Sequence, residues 1–461
     1  MGKKIQSMWC SVFKIQFFSL VTVIQILAIF LSGCGMIASK YEDNAPSPEK
    51  VLQATPTPMA SPELIRKVSV TQIPQIEQTL SGTVTVWHSW TEKELVGLQS
   101  VISNFQKNYP GVIVNLQYVP FDDLSNRFTS GEEGGKPDLL IGPSDWGPEL
   151  YDAKLVANVS TIARPEFFEK VSKVALEAVE YKNAVIGLPI AYSQGIVIFR
   201  NQSILPEAPR TFEEYLEEAR NKTRGDVVGA VIDLGFFQSG AYLEACGGQL
   251  MDTRGAPLFD SAPGLCWIKL LKSIQESGLP VEMNTNLDLE RFQTGKVGFI
   301  IAGTWDAARL AEAIGMDNLA IDPWPSYKNT DLSGFIETDA IYLNTQVAPE
   351  NQAARRALVR YFLSAGAQNT LADPKTAAKV PTLIGVELQD KLMKEALAAF
   401  EKGTPLPAIA AMEYYWDPMD EAIRSILVNG EDPRQALEKA AIQIKIKEND
   451  IPLDELLHRR H

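Results

Sequence analysis

The stretch from Ile186 to Arg200, IGLPIAYSQGIVIFR, constrains the fold more than any other part of this chain. Two apolar runs, Val185–Ile190 and Ile196–Phe199, read as short buried strands. Between them lies a small polar island, Ala191-Tyr192-Ser193-Gln194-Gly195. Pro189 and Gly195 argue against one uninterrupted central strand. Such a pair makes either a tight corner within one sheet or a crossing from one lobe to another. The chain has 461 residues, too many for one hydrophobic core, so two large lobes are expected. The crossing is therefore the favoured reading, and it puts Tyr192 and its neighbours beside an interlobe cleft.

The N-terminus is a separate object. Lys3, Lys4 and Lys14 precede an uncharged run of 17 residues, Ile15 to Leu31, that ends in Leu31-Ser32-Gly33-Cys34. A basic start, an apolar centre and small residues before a break describe a secretory signal. The Leu-Ser-Gly-Cys ending resembles the bacterial lipoprotein signal, which implies cleavage before Cys34 and a lipid on that cysteine. The alternative is an uncleaved membrane anchor. Both readings hold the body at a membrane, on the extracytoplasmic face of the cell envelope. Cleavage removes three lysines and no acid, taking the net charge from −14 to −17.

Residues 34 to 80 are rich in Pro, Ser and Thr and lack a sustained period, so they read as a tether. A flexible chain of that length reaches roughly 35–40 Å. Beyond it, Cys246 and Cys266 remain, separated by 19 residues that include Gly247-Gly248, Gly255 and Pro257. An exported compartment permits a disulfide between them. Two buried free thiols are the other possibility. Two cysteines without nearby histidines are too few ligands for a metal, and no cofactor is expected. The acidic balance, with no long basic block, weighs against nucleic acid.

The body opens on the alternating strand Gly82-Thr-Val-Thr-Val-Trp-His88, which runs into Ser89-Trp90. Thr91 and Glu94 have capping-box spacing before a periodic helix to Asn108. A second strand follows, Val112 to Val119, and then a helix over about 121–129. Pro137-Asp138-Leu139-Leu140-Ile141 forms a third strand that leads into Gly142-Pro143-Ser144-Asp145-Trp146. Strand, helix, strand at this spacing is a βαβ unit, and ligands collect outside the carboxyl ends of such strands. Two of these ends carry Trp in a polar loop. Residues 148–182 read as helical with a break near Arg164-Pro165, and Thr211 with Glu214 repeats the capping-box spacing. Further on, a strand enters Gly235-Phe236-Phe237, and Val297–Ile301 enters Gly303-Thr304-Trp305-Asp306. The end of the chain is helix-dominated and holds Tyr414-Tyr415-Trp416.

Several fragments, in order, resemble the extracellular solute-binding proteins of ABC importers, the sugar-binding lipoprotein family that includes maltose-binding protein. They are TVTVWHSWTEKE, KPDLLIG, VIGLPIAYSQGIVIFRNQSILPEAPRTFEEYLEEA, ACGGQLMD, FQTGKVGFIIAGTW and EAIRSILVNGEDPRQALEKA. The resemblance implies an α/β, two-lobed periplasmic-binding-protein fold of type II. Its lobes would be 81–191 with 338–380, and 195–335 with 385–446, with a tail at 447–461. It implies a monomer that closes on a sugar and delivers it to the permease subunits, without turnover. By position, the ligand contacts it implies are Ser89, Trp90, Asp145, Trp146, Tyr192, Ser193, Phe237, Trp305, Asp306, Asp339, Tyr414, Tyr415 and Trp416. One departure stands out. Many members have a Gly-Gly-Trp-Gly return loop where this chain reads Glu337-Thr338-Asp339-Ala340, which replaces a stacking ring by a carboxylate.

Other chemistries find less support. Trp87 reads as core by its alternation, and Trp324 between two prolines reads as structural. A Ser-His-Asp triad would have to use His88, since the other histidines are His458 and His461, and no GxSxG turn is present. The stretch GEEGGKP fails as a phosphate loop, with Ser130 at the first Gly position and Pro137 at the Ser/Thr position. The alternatives that stay open are an exported glycan-active enzyme and a receptor for a non-sugar polar solute.

Overall fold

The computed structural model describes residues 80–131, 136–161 and 165–449. The signal, the tether, Cys34 and the residues after 449 lie outside them. The labelled elements, in chain order, are β1 (Gly82–His88), α1 (Glu92–Asn108), β2 (Val112–Tyr118), α2 (Phe121–Ser130), β3 (Leu139–Pro143), β4 (Leu188–Asn201), α3 (Phe212–Lys222), β5 (Val228–Ala230), α4 (Ala262–Gln275), β6 (Val297–Gly303), β7 (Leu319–Asp322), β8 (Phe335–Leu343), α5 (Lys391–Phe400), α6 (Trp416–Leu427) and α7 (Pro433–Asn449).

The sheet runs in the order β2-β1-β3-β8-β4-β6-β5, and β7 also pairs with β4. Strands β1, β2 and β3 are parallel, as a βαβ unit requires. The long strand β4 organises the rest. Its first half, Leu188 to Gly195, pairs with β8, and its second half, Ile196 to Asn201, pairs with β6 and β7. One strand thus belongs to both halves of a two-lobed α/β body.

The polar island does not break the strand, contrary to the sequence expectation. The chain continues as one strand of 14 residues, Leu188–Asn201. Two bulges absorb the irregularity: Ile190 and Ser193 have no opposite residue on β8, while Pro189 faces Ala340 and Gln194 faces Glu337. The expected helical region at 148–182 is also more broken than its pattern suggests. It consists of short helices and a small hairpin, Glu180–Tyr181 with Ala184–Val185.

Helix α1 forms because Leu98, Val101, Ile102 and Phe105 recur at helical spacing and all are buried. Its expected capping box is absent: Thr91 makes no side-chain cap bond, and the Glu94 carboxylate pairs with Lys379 at 2.7 Å. The second capping box is present. The Thr211 hydroxyl accepts from the Glu214 N–H at 3.1 Å, and the Glu214 carboxylate accepts from the Thr211 N–H at 3.2 Å. Such a cap contributes about 1 kcal/mol. Trp87 and Trp324 are buried, as read from sequence. A disulfide joins Cys246 to Cys266 across 20 residues, with their Cα atoms 5.9 Å apart. Closing a loop of that size stabilises by about 3 kcal/mol in the chain-entropy picture.

A buried acidic group underlies the loop before Phe236. Asp233 accepts from the N–H groups of Gly235 and Asn284, and Glu282 accepts from Thr285, Leu287 and Asp288. Burial pushes the Asp233 carboxyl up to about 6, and burial with the Glu282 carboxyl beside it raises Asp288. Raised carboxyl values mean that the folded state takes up protons before the unfolded chain does. Stability is therefore expected to rise as pH falls through the folded-state values, and to level off below about pH 4 where the unfolded acids titrate. Thermal unfolding should show a higher midpoint at pH 5 than at pH 8, and Asp288→Asn should shrink that difference. An unchanged difference would remove Asp288 from the effect.

Candidate functional site

The carboxyl end of β6 reaches the middle of β4, and that of β3 lies beside β8, which pairs with the first half of β4. Strand β3 passes into the turn Ser144–Trp146, and β6 into the matching turn Thr304–Asp306. The Gly195 N–H of β4 donates to the Thr304 hydroxyl at 3.2 Å, which fixes the second turn to the crossing strand. On the other side, Asp339 of β8 lies opposite Pro143, at the root of the first turn. Both turns and the crossing strand thus form one continuous strip.

One side of the strip is aromatic. The Trp305 ring is 50% exposed and stacks on Phe237, with centroids 6.0 Å apart and planes 20° apart. Trp416 meets Phe237 edge-on at 5.6 Å and Phe236 at 5.4 Å. The bare Gly303 lets the indole come close: a Cβ there would come within 2.1 Å of it. The indole rests against the strand end and stays half exposed.

The other side is acidic. Gln194 donates to Glu337 at 2.5 Å across the β4–β8 pair. Burial raises the Glu337 carboxyl, helped by the charges of Asp145 and Asp339. Asp145 is solvent-accessible, and desolvation by the protein around it raises its carboxyl. Lys379 is the counter-charge. Its ammonium contacts Asp339 at 2.9 Å and Glu94 at 2.7 Å, and lies 4.9 Å from the centre of the Trp90 ring. Burial alone would lower the Lys379 value, but those two carboxylates raise it instead.

Of the residues expected from sequence, Phe237, Trp305 and Trp416 come together, and Asp145 and Trp146 sit on the facing turn. Ser89 and Ser193 are half-buried, and the Ser193 hydroxyl has no partner among the described residues. Tyr414 is half-buried against the core. Five expected contacts are placed differently. Tyr192 is only 1% exposed, donates its hydroxyl to Ser172 at 2.6 Å and meets Phe400 edge-on, so its ring belongs to the core. Tyr415 is buried, with its hydroxyl donating to the Gly255 carbonyl at 2.7 Å. Trp90 is 5% exposed and its face is taken by Lys379. Asp306 is buried and pairs with Arg309 at 2.5 Å, and Asp339 is committed to Lys379.

Sequence reasoning missed Gln194, Glu337 and Lys379 as members of the strip. Glu337 stands in the departing return loop, two residues before Asp339. A lone lysine amid Ala377, Ala378 and Val380 was a readable sign of a buried, paired cation. His88 is buried, desolvation lowers its pKa, and its Nδ1 finds no partner among the described residues. Among the described residues no carboxylate bonds to it, the partner a Ser-His-Asp triad uses to orient its histidine. A separate concavity of about 380 Å³ opens between Ala178, Ile186, Glu244 and Leu406, and none of the strip residues lines it.

A face of stacked rings opposite hydrogen-bond-accepting carboxylates suits a molecule with an apolar C–H face and several hydroxyl donors. A stacked aromatic contact adds about 0.5–1.5 kcal/mol beyond burial. A hydrogen bond to a charged group adds about 1.5–3 kcal/mol.

Residues 100–400 match the family model described as bacterial extracellular solute-binding protein. A maltotriose-binding protein of Pyrococcus abyssi is 27% identical over 255 residues, 53% of this chain and 54% of the relative, so the chain spans about half the length of that protein. A galactooligosaccharide-binding protein of Bacillus subtilis is 23% identical over 381 residues, covering 76% of this chain and 87% of the relative. A maltooligosaccharide ABC transporter solute-binding lipoprotein of Streptococcus pneumoniae is 23% identical over 377 residues, 76% of this chain and 86% of the relative. Among solved structures, an extracellular solute-binding protein of Staphylococcus aureus in complex with maltose superposes with a TM-score of 0.69 at 22% identity, covering 80% of this chain and 98% of that one.

Proposed function

Because the chain belongs to the bacterial extracellular solute-binding family, we propose that it captures a sugar or oligosaccharide outside the cytoplasm and delivers it to the permease of an ABC importer. The observation that carries this reading is the aromatic triple Trp305–Phe237–Trp416 on one side of β4, with the carboxylates Asp145 and Glu337 on the other. Rings of this kind desolvate a pyranose face, and the carboxylates accept from its hydroxyls. Relatives named for maltotriose, galactooligosaccharide and maltooligosaccharide support the ligand class. The Leu31-Ser32-Gly33-Cys34 ending, together with the relative named as a lipoprotein, supports lipid anchoring at Cys34.

In this reading residues 81–191 with 338–380 form one lobe, and 195–335 with 385–446 form the other. The monomer closes about the β4–β8 crossing. Ligand shifts the open–closed balance by its greater affinity for the closed form. No bond is broken. Isothermal titration of the mature protein against a panel of α- and β-linked oligosaccharides should give at least one member with a micromolar or tighter Kd. Silence across that panel, with a response to amino acids or polyamines, would overturn the sugar assignment. Cleavage of a bound oligosaccharide, read by mass spectrometry, would favour an exported glycan-active enzyme.

A further inference from the structure

The segment between Cys246 and Cys266 touches both buried anchors of the aromatic side. It leaves the short helix Tyr242–Ala245 and ends in α4, so the disulfide closes its base. Its tip is a tight turn, in which the Asp252 carboxylate accepts from the Arg254 N–H at 2.8 Å and the Ala256 N–H at 2.9 Å. Met251 and Pro257 bridge beneath that turn. Gly255 at the tip has a φ of +88°, a left-handed conformation that favours glycine. A Cβ there would come within 2.5 Å of the Ala411 side chain, so the tip lies against the segment that leads into α6.

Two contacts carry from this segment to the exposed rings. At the tip, the Tyr415 hydroxyl donates to the Gly255 carbonyl at 2.7 Å, and Phe259 meets the buried Tyr415 ring edge-on at 5.9 Å. Tyr415 immediately precedes Trp416, the first residue of α6. At the base, Trp267 follows Cys266, and its Nε1 donates to the Ser239 carbonyl at 2.9 Å. Ser239 ends the short helix Phe236–Ser239 that carries Phe237. Without the disulfide, a segment of this length has more conformations to lose before its tip meets Tyr415.

We infer that the Cys246–Cys266 disulfide is a positioning device for the binding site: it holds Gly255 on Tyr415, and so holds Trp416 against Phe237 before ligand arrives. A ring already in place loses less freedom on binding. The consequence for affinity rests on the function proposed above; the placement of Trp416 does not.

Cys246→Ala/Cys266→Ala should weaken binding of the tightest oligosaccharide by about tenfold in isothermal titration, run well below the variant's own unfolding midpoint. Tyr415→Phe keeps the disulfide, removes only the hydroxyl that meets Gly255, and should lose about threefold. In a Trp416→Ala background the cysteine change should cost under about twofold more, because the ring it positions is gone. Wild-type affinity in the cysteine variant would reduce the disulfide to a staple for stability. A loss undiminished in the Trp416→Ala background would show that it acts elsewhere. Either result overturns the inference. A second readout needs no ligand. The Trp416 indole N–H resonance should shift or broaden in the cysteine variant and in Tyr415→Phe, while that of Trp87, bonded to Gln117, stays in place. An unchanged Trp416 resonance overturns the positioning even where affinity falls. Absence of binding by the wild-type protein to every oligosaccharide overturns the proposed function, and the resonance then decides the positioning by itself.

Discussion

Trp305→Ala is expected to weaken oligosaccharide binding by at least about thirtyfold, roughly 2 kcal/mol, the scale of an interface hot spot. The unfolding midpoint should hardly move. Both parts follow from where the ring sits. Half of it faces solvent, so truncation removes little folded-state burial. Its other face rests on Phe237 and the Gly303 backbone, so the indole is already in place before ligand arrives. A pre-placed ring loses little side-chain entropy on binding. Trp305→Phe should recover part of the affinity, since a smaller ring still stacks on Phe237. Titration calorimetry with the tightest-binding oligosaccharide checks the first outcome, and thermal unfolding checks the second. Wild-type affinity in Trp305→Ala would remove Trp305 from the site.

The largest effect on stability is expected far from the strip. Arg200, on β4, is buried and fork-bonded to Asp322 at the end of β7, through Nε at 2.6 Å and Nη2 at 2.9 Å. Its Nη1 donates to the Leu205 carbonyl at 2.6 Å. The Tyr215 hydroxyl of α3 donates to the same Asp322 carboxylate, and burial with that negative charge holds the phenol protonated. One network thus clamps a helix and a strand onto β4. Arg200→Met leaves the Asp322 charge buried and uncompensated, which should destabilise by about 3–5 kcal/mol. The double variant Arg200→Met/Asp322→Leu should recover most of that loss, because it leaves no unpaired buried charge. Urea unfolding of wild type and both variants distinguishes the outcomes. A double variant no more stable than the single would show that the clamp stabilises by its geometry rather than by balancing charge.

These two predictions come from features of unequal legibility. Trp305 could be read in advance because a strand pattern ending in Gly-Thr-Trp announces an exposed ring at a strand end. Phe237 and Trp416 were readable as positions, but their contact with Trp305 joins segments far apart in the chain. The Arg200–Asp322–Tyr215 network carried no local signal. Each member is an ordinary polar residue in its own segment, and only the pairing of β4 with β7 brings them together. The misplaced residues have the same cause. Tyr192 sits in a polar island, which suggested a cleft ring, but Ser172 and Phe400 arrive from other segments to bury it. Trp90 lost its open face to Lys379, nearly three hundred residues away.

What the sequence determined by itself is the alternation of strands and helices, the aromatic and polar tips on strand ends, and the fragments whose order matches the family. Those are properties of short windows, set by side-chain period and turn chemistry. What only the tertiary structure decided is which tips face outward, which charges are neutralised, and that β4 runs unbroken between both halves. Those depend on distant neighbours. Two bulges let Pro189 and Gly195 stay inside one strand only because β8 pairs with it, and no local pattern could announce a partner so far along the chain.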